Sequence, residues 1–357
     1  MDYSQILSQQ FNIKEEYAKN IITLLDDGNT IPFIARYRKE MHGSMDDQLI
    51  REFAEKLEYL RGLDKRRDEI RSLIDAQEKL TDEINLELDK AATLSELEDI
   101  YRPYRPKRKT RASIAKEKGL EPLANDILKQ EKGFDPSKSA VDYIDEEKGV
   151  TSVEDAIQGA MDIIAELVSD NAEIRKRIRN LTNANGVLVS VATDEEKDSV
   201  YKNYYDYKEP VKKIAGHRVL AVNRGEKEGF LKVSVETDSE KPLNSIFRAM
   251  ITDKNQLCSD IIREACTDAY QRLIYPSIER EVRNDLTDTA SENAMKVFAV
   301  NLKQLLMQPP VKGKTVLALD PGYRTGCKTA VVDSTGKVLN TTVIYPTHSD
   351  KKIQESK

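Results

Sequence analysis

Apolar side chains recur at three- and four-residue steps through most of the chain, the spacing of an amphipathic helix. Ile13, Tyr17, Ile21 and Leu24 follow it after a first helical segment, YSQILSQQF. The break at Asn12 therefore separates two short helices, which we interpret as a helix-turn-helix-like element. A much longer helix is predicted from about 45 to 79, starting after Ser44.

Capping residues predict where two further helices begin. Thr93 and Glu96 have the spacing of a capping box before LSELEDIY, a helix that Pro103 ends. Thr151 and Glu154 predict the start of a helix that continues through RKRIRNLT. The basic residues in its last turns lie near the negative end of the helix dipole and need no ligand to explain them.

The pattern changes to alternation at residues 187–193 and 230–236, which predicts strands of a small β insertion. Long helices then return, with a kink expected at Pro276, and end at Pro309 and Pro310. The last stretch contains three strands, KTVLALD, KTAVVD and VLNTTVIYP, followed by a polar tail without a predicted element.

These elements predict a mostly α protein, a multi-helical scaffold with a small β insertion near 187–236. We divide it into an N-terminal helical domain (1–190), a central region (191–312) and the first strands of an α/β domain (313–357). Such strands need helices packed on both faces. We therefore expect that the chain stops inside this domain.

Composition excludes several classes of protein. Hydrophobic residues make up 39%, no apolar stretch approaches the length of a membrane span, and no secretory signal pattern opens the chain. The three cysteines form no CxxC pair and the three histidines are scattered, so no metal site, disulfide framework or cofactor site is predicted. We expect a cytoplasmic protein with no membrane and no small-molecule substrate.

The net charge of −6 conceals one strongly basic run, RPYRPKRKTR. Cations in such a run neutralise phosphates, and neighbouring aromatic rings stack on bases. A nucleic-acid contact loop and a solvated linker explain the run about equally well at this point. The candidate contacts are Tyr101, Arg102, Tyr104, Arg105, Lys107, Arg108, Lys109 and Arg111.

A second basic cluster follows the helix-turn-helix-like pair. Arg36, Arg38 and Lys39 lie in RYRKE, at a helix end that can contact phosphates. Helical proteins often have basic faces of this kind, so an ordinary solvated surface is the better interpretation unless the fold places this cluster beside the first.

One acid lies where a nuclease would hold a metal. Asp320 ends a predicted strand in LALDPGYRTG, and in ribonuclease-H-like nucleases an acid there holds one of two magnesium ions. Asp333, at the end of the neighbouring strand, is the other acid considered, although a hairpin-turn role explains it as well. One carboxylate is not a metal site, so we expect Asp320 to be vestigial and this chain to have no competent nuclease centre.

Four motifs in order carry a family resemblance: TIPFIARYRKE, LEDIYRPYRPKRKTRASIAKEKGLEPLA, HRVLAVNRGEKEGFLKV and LALDPGYRTGCKTAVVD. Together they resemble the bacterial Tex family of transcription accessory proteins across essentially all of the chain. The resemblance implies an N-terminal helical region with a helix-turn-helix element, a central helical scaffold and a YqgF-type ribonuclease-H-like domain. It also implies helix-hairpin-helix elements and an OB-fold RNA-binding domain, which this chain lacks, so we expect a fragment.

The resemblance favours the nucleic-acid interpretation of the basic run over the linker. It implies a transcription accessory scaffold that binds RNA or single-stranded DNA and is not an enzyme, since the YqgF-type domain of the family resembles a scaffold. Two alternatives stay open. One is a magnesium-dependent nuclease in the full-length protein, and the other is a scaffold that binds RNA polymerase or the ribosome.

Overall fold

The computed structural model describes residues 2–252, 254–309, 312–322, 325–346 and 349–356. The chain forms two compact units, Met1–Thr287 and Asp288–Lys357. Pro310 of the predicted helix end, Tyr323 and Arg324 of the fourth motif, and one of the scattered histidines, His348, lie outside the described residues.

The predicted mostly helical architecture is confirmed, with two small sheets. Among the described residues, no helix is long and apolar enough to cross a bilayer. The N-terminal helices are α1 (Tyr3–Phe11), α2 (Glu15–Asp26), α3 (Ile31–Tyr37), α4 (Asp47–Asp75), α5 (Asp82–Lys90) and α6 (Leu94–Tyr101).

The long helix α4 supports two separate cores. Phe53 on its first half is buried with residues of α1, α2 and α3 such as Leu7 and Ile34. Ile74 on its second half is buried with residues of α5 and α6 such as Leu97. The predicted start at Ser44 is wrong, because Ser44 has a φ of 63° and the Asp46 side chain instead accepts a hydrogen bond from the Leu49 amide at 2.8 Å.

The central helices follow, and most of them contribute to the largest core among the described residues. They are α7 (Arg111–Glu117), α8 (Glu121–Lys129), α9 (Pro136–Ala140), α10 (Val153–Asp170), α11 (Ala172–Asn185), α12 (Gly216–Lys227), α13 (Glu240–Met250), α14 (Gln256–Asp268) and α15 (Tyr275–Leu306). A π-helical segment, Ala269–Ile274, precedes α15 where a kink at Pro276 was predicted. The extra residue in this turn accommodates a proline that lacks an N–H group.

The helix predicted to begin at Thr151 and to continue through RKRIRNLT is two helices. Asn171 ends α10 with extended backbone, and its side chain caps α11 by accepting a hydrogen bond from Ile174 N at 3.0 Å. The first of the two also begins one residue later than predicted, since Ser152 is the N-cap. Apolar spacing does not detect this break, because both helices face the same core.

Both sheets have three antiparallel strands. The first has the order β2-β1-β3 and contains β1 (Val187–Ala192), β2 (Asp206–Pro210) and β3 (Leu231–Glu236). The second has the order β4-β5-β6 and contains β4 (Val316–Asp320), β5 (Cys327–Val332) and β6 (Val338–Ile344), followed by α16 (Asp350–Glu355). The predicted strands are confirmed, whereas β2 was not predicted. The helices that were not predicted include α5, α7, α8, α9, α12 and α16.

Gly159 lets α10 approach the turn before α8 closely. A Cβ atom at this position would lie 2.3 Å from Cδ1 of Leu120, a side chain that is 1% exposed. We expect Gly159→Ala to lower the free energy of unfolding by about 1–2 kcal/mol, because a filled core resists an added methyl group. Urea denaturation measures this change.

Gly62 supplies the matched control. It lies inside α4 with nothing within 4 Å of an added Cβ, so Gly62→Ala should raise the free energy of unfolding by about 0.5–1 kcal/mol. Equal gains in the two variants would contradict the close packing at Gly159.

Candidate nucleic-acid interface

The basic run forms a loop between two helices because of its prolines and its capping threonine. Helix α6 ends at Tyr101 and a single 3-10 turn, Arg102–Tyr104, contains Pro103. Extended chain then leads to Thr110, which caps α7 by accepting a hydrogen bond from Ser113 N at 3.0 Å. We call residues 102–111 the basic loop.

Side chains from distant segments hold the basic loop in place. Gln77, just after α4, donates to the Tyr104 carbonyl at 2.9 Å. The Lys107 ammonium group donates to Glu166 at 3.0 Å and also to Asp170, both on α10. A solvated linker would not need these contacts with the surrounding helices, so they favour a structural loop over a linker.

Four of the six predicted cations remain available to a ligand. Arg105 is 62% exposed and lies 3.9 Å from Glu98, while Lys109 is 68% exposed and lies 3.4 Å from Glu117. Exposed pairs of this kind contribute little free energy, so a phosphate competes with them readily. Arg108 and Arg111 are exposed, and within the described part of the chain neither has an acid within 4.0 Å.

The other two cations mainly stabilise the loop. Lys107 is 31% exposed and paired with two acids, as above. Arg102 is 33% exposed and its Nε lies 3.3 Å from Asp170 Oδ1. Burial, reinforced by the nearby charge of Arg175, lowers the pKa of Arg102.

The predicted stacking role does not suit Tyr101. Its ring is 5% exposed and lies in the core beneath α4, with the Arg66 guanidinium 5.7 Å from its centroid. Tyr104 is half-buried against the same core, and this burial raises the pKa of its hydroxyl. Of the two tyrosines, Tyr104 is therefore the one whose side chain is partly accessible to solvent.

A groove of 850 Å³ runs beside the basic loop. Its walls contain six Lys or Arg side chains against four Asp or Glu, so the described lining is net positive. Lys79 after α4, Lys116 on α7 and the amide of Asn125 on α8 complete it. We call it the basic groove. Sequence reasoning missed these three residues, because only tertiary packing brings them to the loop.

The second predicted cluster lies elsewhere on the same unit. Arg36 and Lys39 are exposed, whereas Arg38 is half-buried with its guanidinium 5.2 Å from the Phe33 ring centroid. Helix α3 packs on the first half of α4 and the basic loop follows the core of the second half. From Ile50 to Ile74 the helix rises about 36 Å, so the two clusters do not form one patch.

The basic residues predicted at a helix C-terminus have another role. Arg175 lies in the first turn of α11, where the dipole does not favour a cation. Its Nε donates to Asp99 Oδ1 at 2.5 Å, and Arg179 donates to Asp99 Oδ2 at 2.5 Å and to Glu281 at 2.6 Å. Burial lowers the pKa of Arg179, but its hydrogen bonds to Glu281 and Asp99 outweigh burial and raise it.

The two acids of the ribonuclease-H-like strands do not converge. Asp320 ends β4, as predicted, and pairs in register with Lys328 at the start of β5. Asp333 follows the far end of β5, because the two strands are antiparallel. Its carboxylate accepts hydrogen bonds from the Thr335 and Lys337 amides at 2.8 and 3.0 Å, which confirms the hairpin-turn role and lowers its pKa.

No group of three His, Cys, Asp or Glu side chains suited to a metal ion occurs in the ranges that the structure describes. Cys258 and Cys266 are buried within α14, and burial raises the pKa of Cys266 to about 12. A thiol with that pKa stays protonated and is neither a nucleophile nor a metal ligand at neutral pH.

Three domains of one family match the chain. Residues 1–75 match the Tex-like protein N-terminal domain, residues 131–298 the Tex central region, and residues 314–357 the Tex protein YqgF-like domain. The last match agrees with the small antiparallel sheet of β4, β5 and β6.

Curated proteins of similar sequence extend this result. Uncharacterized protein YdcI of Bacillus subtilis is 46% identical, over 100% of this chain and 50% of its own length. Transcriptional accessory protein Tex of Neisseria gonorrhoeae is 38% identical, over 97% of this chain and 46% of its own length. The human S1 RNA-binding domain-containing protein 1 is 32% identical, over 96% of this chain and 36% of its own length.

The chain therefore spans about half the length of the bacterial relatives that it matches. Because successive domains of one family match in order, and proteins named Tex align along nearly the whole chain, the protein belongs to the Tex family of transcription accessory proteins.

Proposed function

We propose that this protein is a transcription accessory scaffold that binds single-stranded nucleic acid, RNA or DNA, in the basic groove. The observation that carries the proposal is a loop of exposed cations held at fixed positions along that groove. Arg105, Arg108 and Lys109 present charge to the groove while Lys107 and Gln77 hold the loop. Phosphates of a flexible strand can follow such a path.

The printed names of relatives support this class of ligand. One relative is named a transcriptional accessory protein and another an RNA-binding domain-containing protein. A role with nucleic acid follows for the family, and the cytoplasm is the setting that we propose for it here. The helix-turn-helix-like pair α1 and α2, with Arg36 and Lys39 nearby, would be a separate and weaker contact.

Removing the exposed cations should weaken binding. We expect the fourfold variant with Gln at Arg105, Arg108, Lys109 and Arg111 to bind single strands at least about tenfold more weakly. The slope of log affinity against log salt should become less negative by about 3, because each phosphate contact to a single strand contributes about 0.7. Fluorescence anisotropy measures both the affinity and the slope. The RNA and DNA oligonucleotides have about 12 nucleotides, a length toward the upper end of the range that single-strand binding sites cover.

A variant with the same change in net charge is the control. Gln at four lysines that are exposed away from the groove, Lys138, Lys212, Lys232 and Lys241, should leave affinity and slope close to those of the native protein. If both variants lose affinity equally, binding depends on overall charge and the basic groove is not the site.

We also propose that the chain has no nuclease activity. The separation of Asp320 from Asp333 along β4 and β5 supports this, since a two-metal centre needs acids that converge. Incubation with labelled single-stranded and branched substrates and Mg²⁺ or Mn²⁺ should give no products. Product that disappears in Asp320→Asn would instead establish an enzyme.

A scaffold for RNA polymerase or the ribosome is the remaining alternative. It predicts capture of those assemblies that survives nuclease treatment and is unchanged in the fourfold variant. Capture that is lost after nuclease treatment would point back to the nucleic acid.

A further inference from the structure

A second cleft, of 590 Å³, shares part of its lining with the basic groove. Helices α6, α10, α11 and the start of α15 form its walls. Arg102 and Arg175 line it but not the groove, whereas Arg105 and Lys107 line both. We call it the arginine cleft, and its role is not explained by strand binding in the groove.

Arg175 is the buried side of the cleft and its guanidinium is only partly satisfied. Its side chain is 3% exposed, with Nε donating to Asp99 and Nη2 donating to Ser277 Oγ at 3.1 Å. Its Nη1 is buried and has no hydrogen-bond acceptor among the residues that the structure describes. An unpaired, buried N–H of a charged group is costly, so such groups normally have an acceptor.

Arg102 also lines the cleft, and its guanidinium group is also only partly hydrogen-bonded. Its Nε is also buried and meets no hydrogen-bond criterion within the described ranges, although Asp170 Oδ1 lies 3.3 Å from it. Burial, reinforced by the charge of Arg175, lowers the pKa of Arg102. Arg102 is 33% exposed and lines the cleft, so a ligand in the cleft can approach its guanidinium group.

Two guanidinium groups that line one cleft and have unused donors suit a tetrahedral oxyanion, which can accept hydrogen bonds from more than one donor. We infer that the arginine cleft binds a phosphate monoester group between Arg102 and Arg175. A phosphodiester within a strand carries a nucleoside on both sides and does not reach a side chain that is 3% exposed. A terminal phosphate carries one nucleoside and a free phosphate none, so either is a smaller group to accommodate in the cleft.

The inference rests on the proposed function only where the phosphate belongs to a nucleic-acid strand. The experiment therefore tests the phosphate site and strand binding separately. Oligonucleotides of one sequence carrying a 5′-phosphate, a 3′-phosphate or only hydroxyl ends are titrated against the full chain by anisotropy. Inorganic phosphate is titrated separately by isothermal calorimetry at constant ionic strength. Arg102→Gln and Arg102→Lys test the cleft, and Arg108→Gln on the groove is the matched control.

We expect one terminal phosphate to raise affinity about tenfold over the hydroxyl form, the effect of charge-assisted hydrogen bonds. Arg102→Gln should abolish this preference and Arg102→Lys should reduce it, because lysine lacks the planar fork. Arg108→Gln should weaken all the oligonucleotides equally and leave the preference unchanged. Circular dichroism melting confirms that each variant is folded.

Each other outcome is decisive. Inorganic phosphate that binds the native protein but not Arg102→Gln, without a terminal preference, identifies free phosphate as the ligand and upholds the site. Equal binding of all the oligonucleotides together with no phosphate binding overturns the inference and leaves the basic groove intact. If the native protein binds none of the oligonucleotides, the proposed function is overturned instead. The phosphate titration would then still test the cleft.

Discussion

Asp99→Ala is expected to lower the free energy of unfolding by about 3–5 kcal/mol, the cost of leaving buried charges unpaired. Asp99 is 5% exposed and accepts hydrogen bonds from Arg175 and Arg179, both at 2.5 Å. Arg179 in turn binds Glu281 on α15. Without the carboxylate, Arg175 keeps the hydroxyl of Ser277 as its remaining hydrogen-bond acceptor in the described part of the chain.

Chemical denaturation of the native protein and the variant measures this loss. Asp68→Ala is the control, because Asp68 also pairs with an arginine, Arg71, at 2.7 Å but is 73% exposed. The control should lose less than about 1 kcal/mol. A similarly small loss in Asp99→Ala would mean that solvent reaches the pair and that the arginines do not depend on it.

The same substitution should affect the candidate site. Asp99 lies in α6, one turn before Arg102. Its partner Arg175 forms the buried side of the arginine cleft. We expect Asp99→Ala to disorder the first part of the basic loop, while Lys107 and Gln77 still hold its middle and Tyr104. The loss of binding free energy in the basic groove should therefore be smaller than the loss in the free energy of unfolding.

This network also shows where sequence reasoning stops. Asp99 and Arg175 are 76 positions apart, and Arg179 and Glu281 are 102 apart. Nothing in the local spacing of charges indicates such pairs, so the arginines were assigned to the end of one long helix, whereas the break at Asn171 places Arg175 in the first turn of α11. Long-range ion pairs depend on packing, and packing is set by the whole fold.

Local signals predicted the elements that depend on local physics. The capping of α6 by Thr93, the end of that helix before Pro103 and the alternation in β3 are confirmed. The strand β1 is also present as predicted, but three consecutive residues of it are buried, so its burial does not alternate. Each depends on backbone hydrogen bonds or side-chain alternation within a few residues. The short strand β2 was missed because DYKEP is polar and its edge position needs no apolar face.

The candidate site was predicted in part for the same reason. Charge density along the sequence identified the basic loop, but not that Lys107 would be paired with Glu166 while Arg108 stayed exposed. Similarly, the aromatic residue beside the cations was noticed, but not that Tyr101 faces the core. Which side of a helix end faces solvent is decided by what packs there.

Phe53→Ala is expected to unfold the N-terminal helices before the rest of the protein. Phe53 is fully buried between α4 and α1, with its ring centroid 5.4 Å from that of Phe11. Truncating a buried phenylalanine costs about 3–5 kcal/mol. Its core, shared by α1, α2, α3 and the first half of α4, is separate from the central core, so the cost falls on these helices.

Hydrogen exchange followed by mass spectrometry measures the effect region by region. Amides of α1 to α3 should exchange faster by about two to three orders of magnitude, since each 1.4 kcal/mol is tenfold, while α10 and α14 keep their protection. Tyr59→Ala on the same helix is the control, since Tyr59 is 43% exposed, and it should leave both regions unchanged.

The basic groove should keep its structure when the N-terminal helices unfold in Phe53→Ala. The residues that hold the basic loop are Gln77, Glu166 and Asp170, and none of them belongs to the core around Phe53. Oligonucleotide affinity of Phe53→Ala should therefore stay within about twofold of the native value. A parallel loss of protection in α10, or a collapse of affinity, would mean that α4 transmits unfolding along its whole length and that the two cores form one cooperative unit.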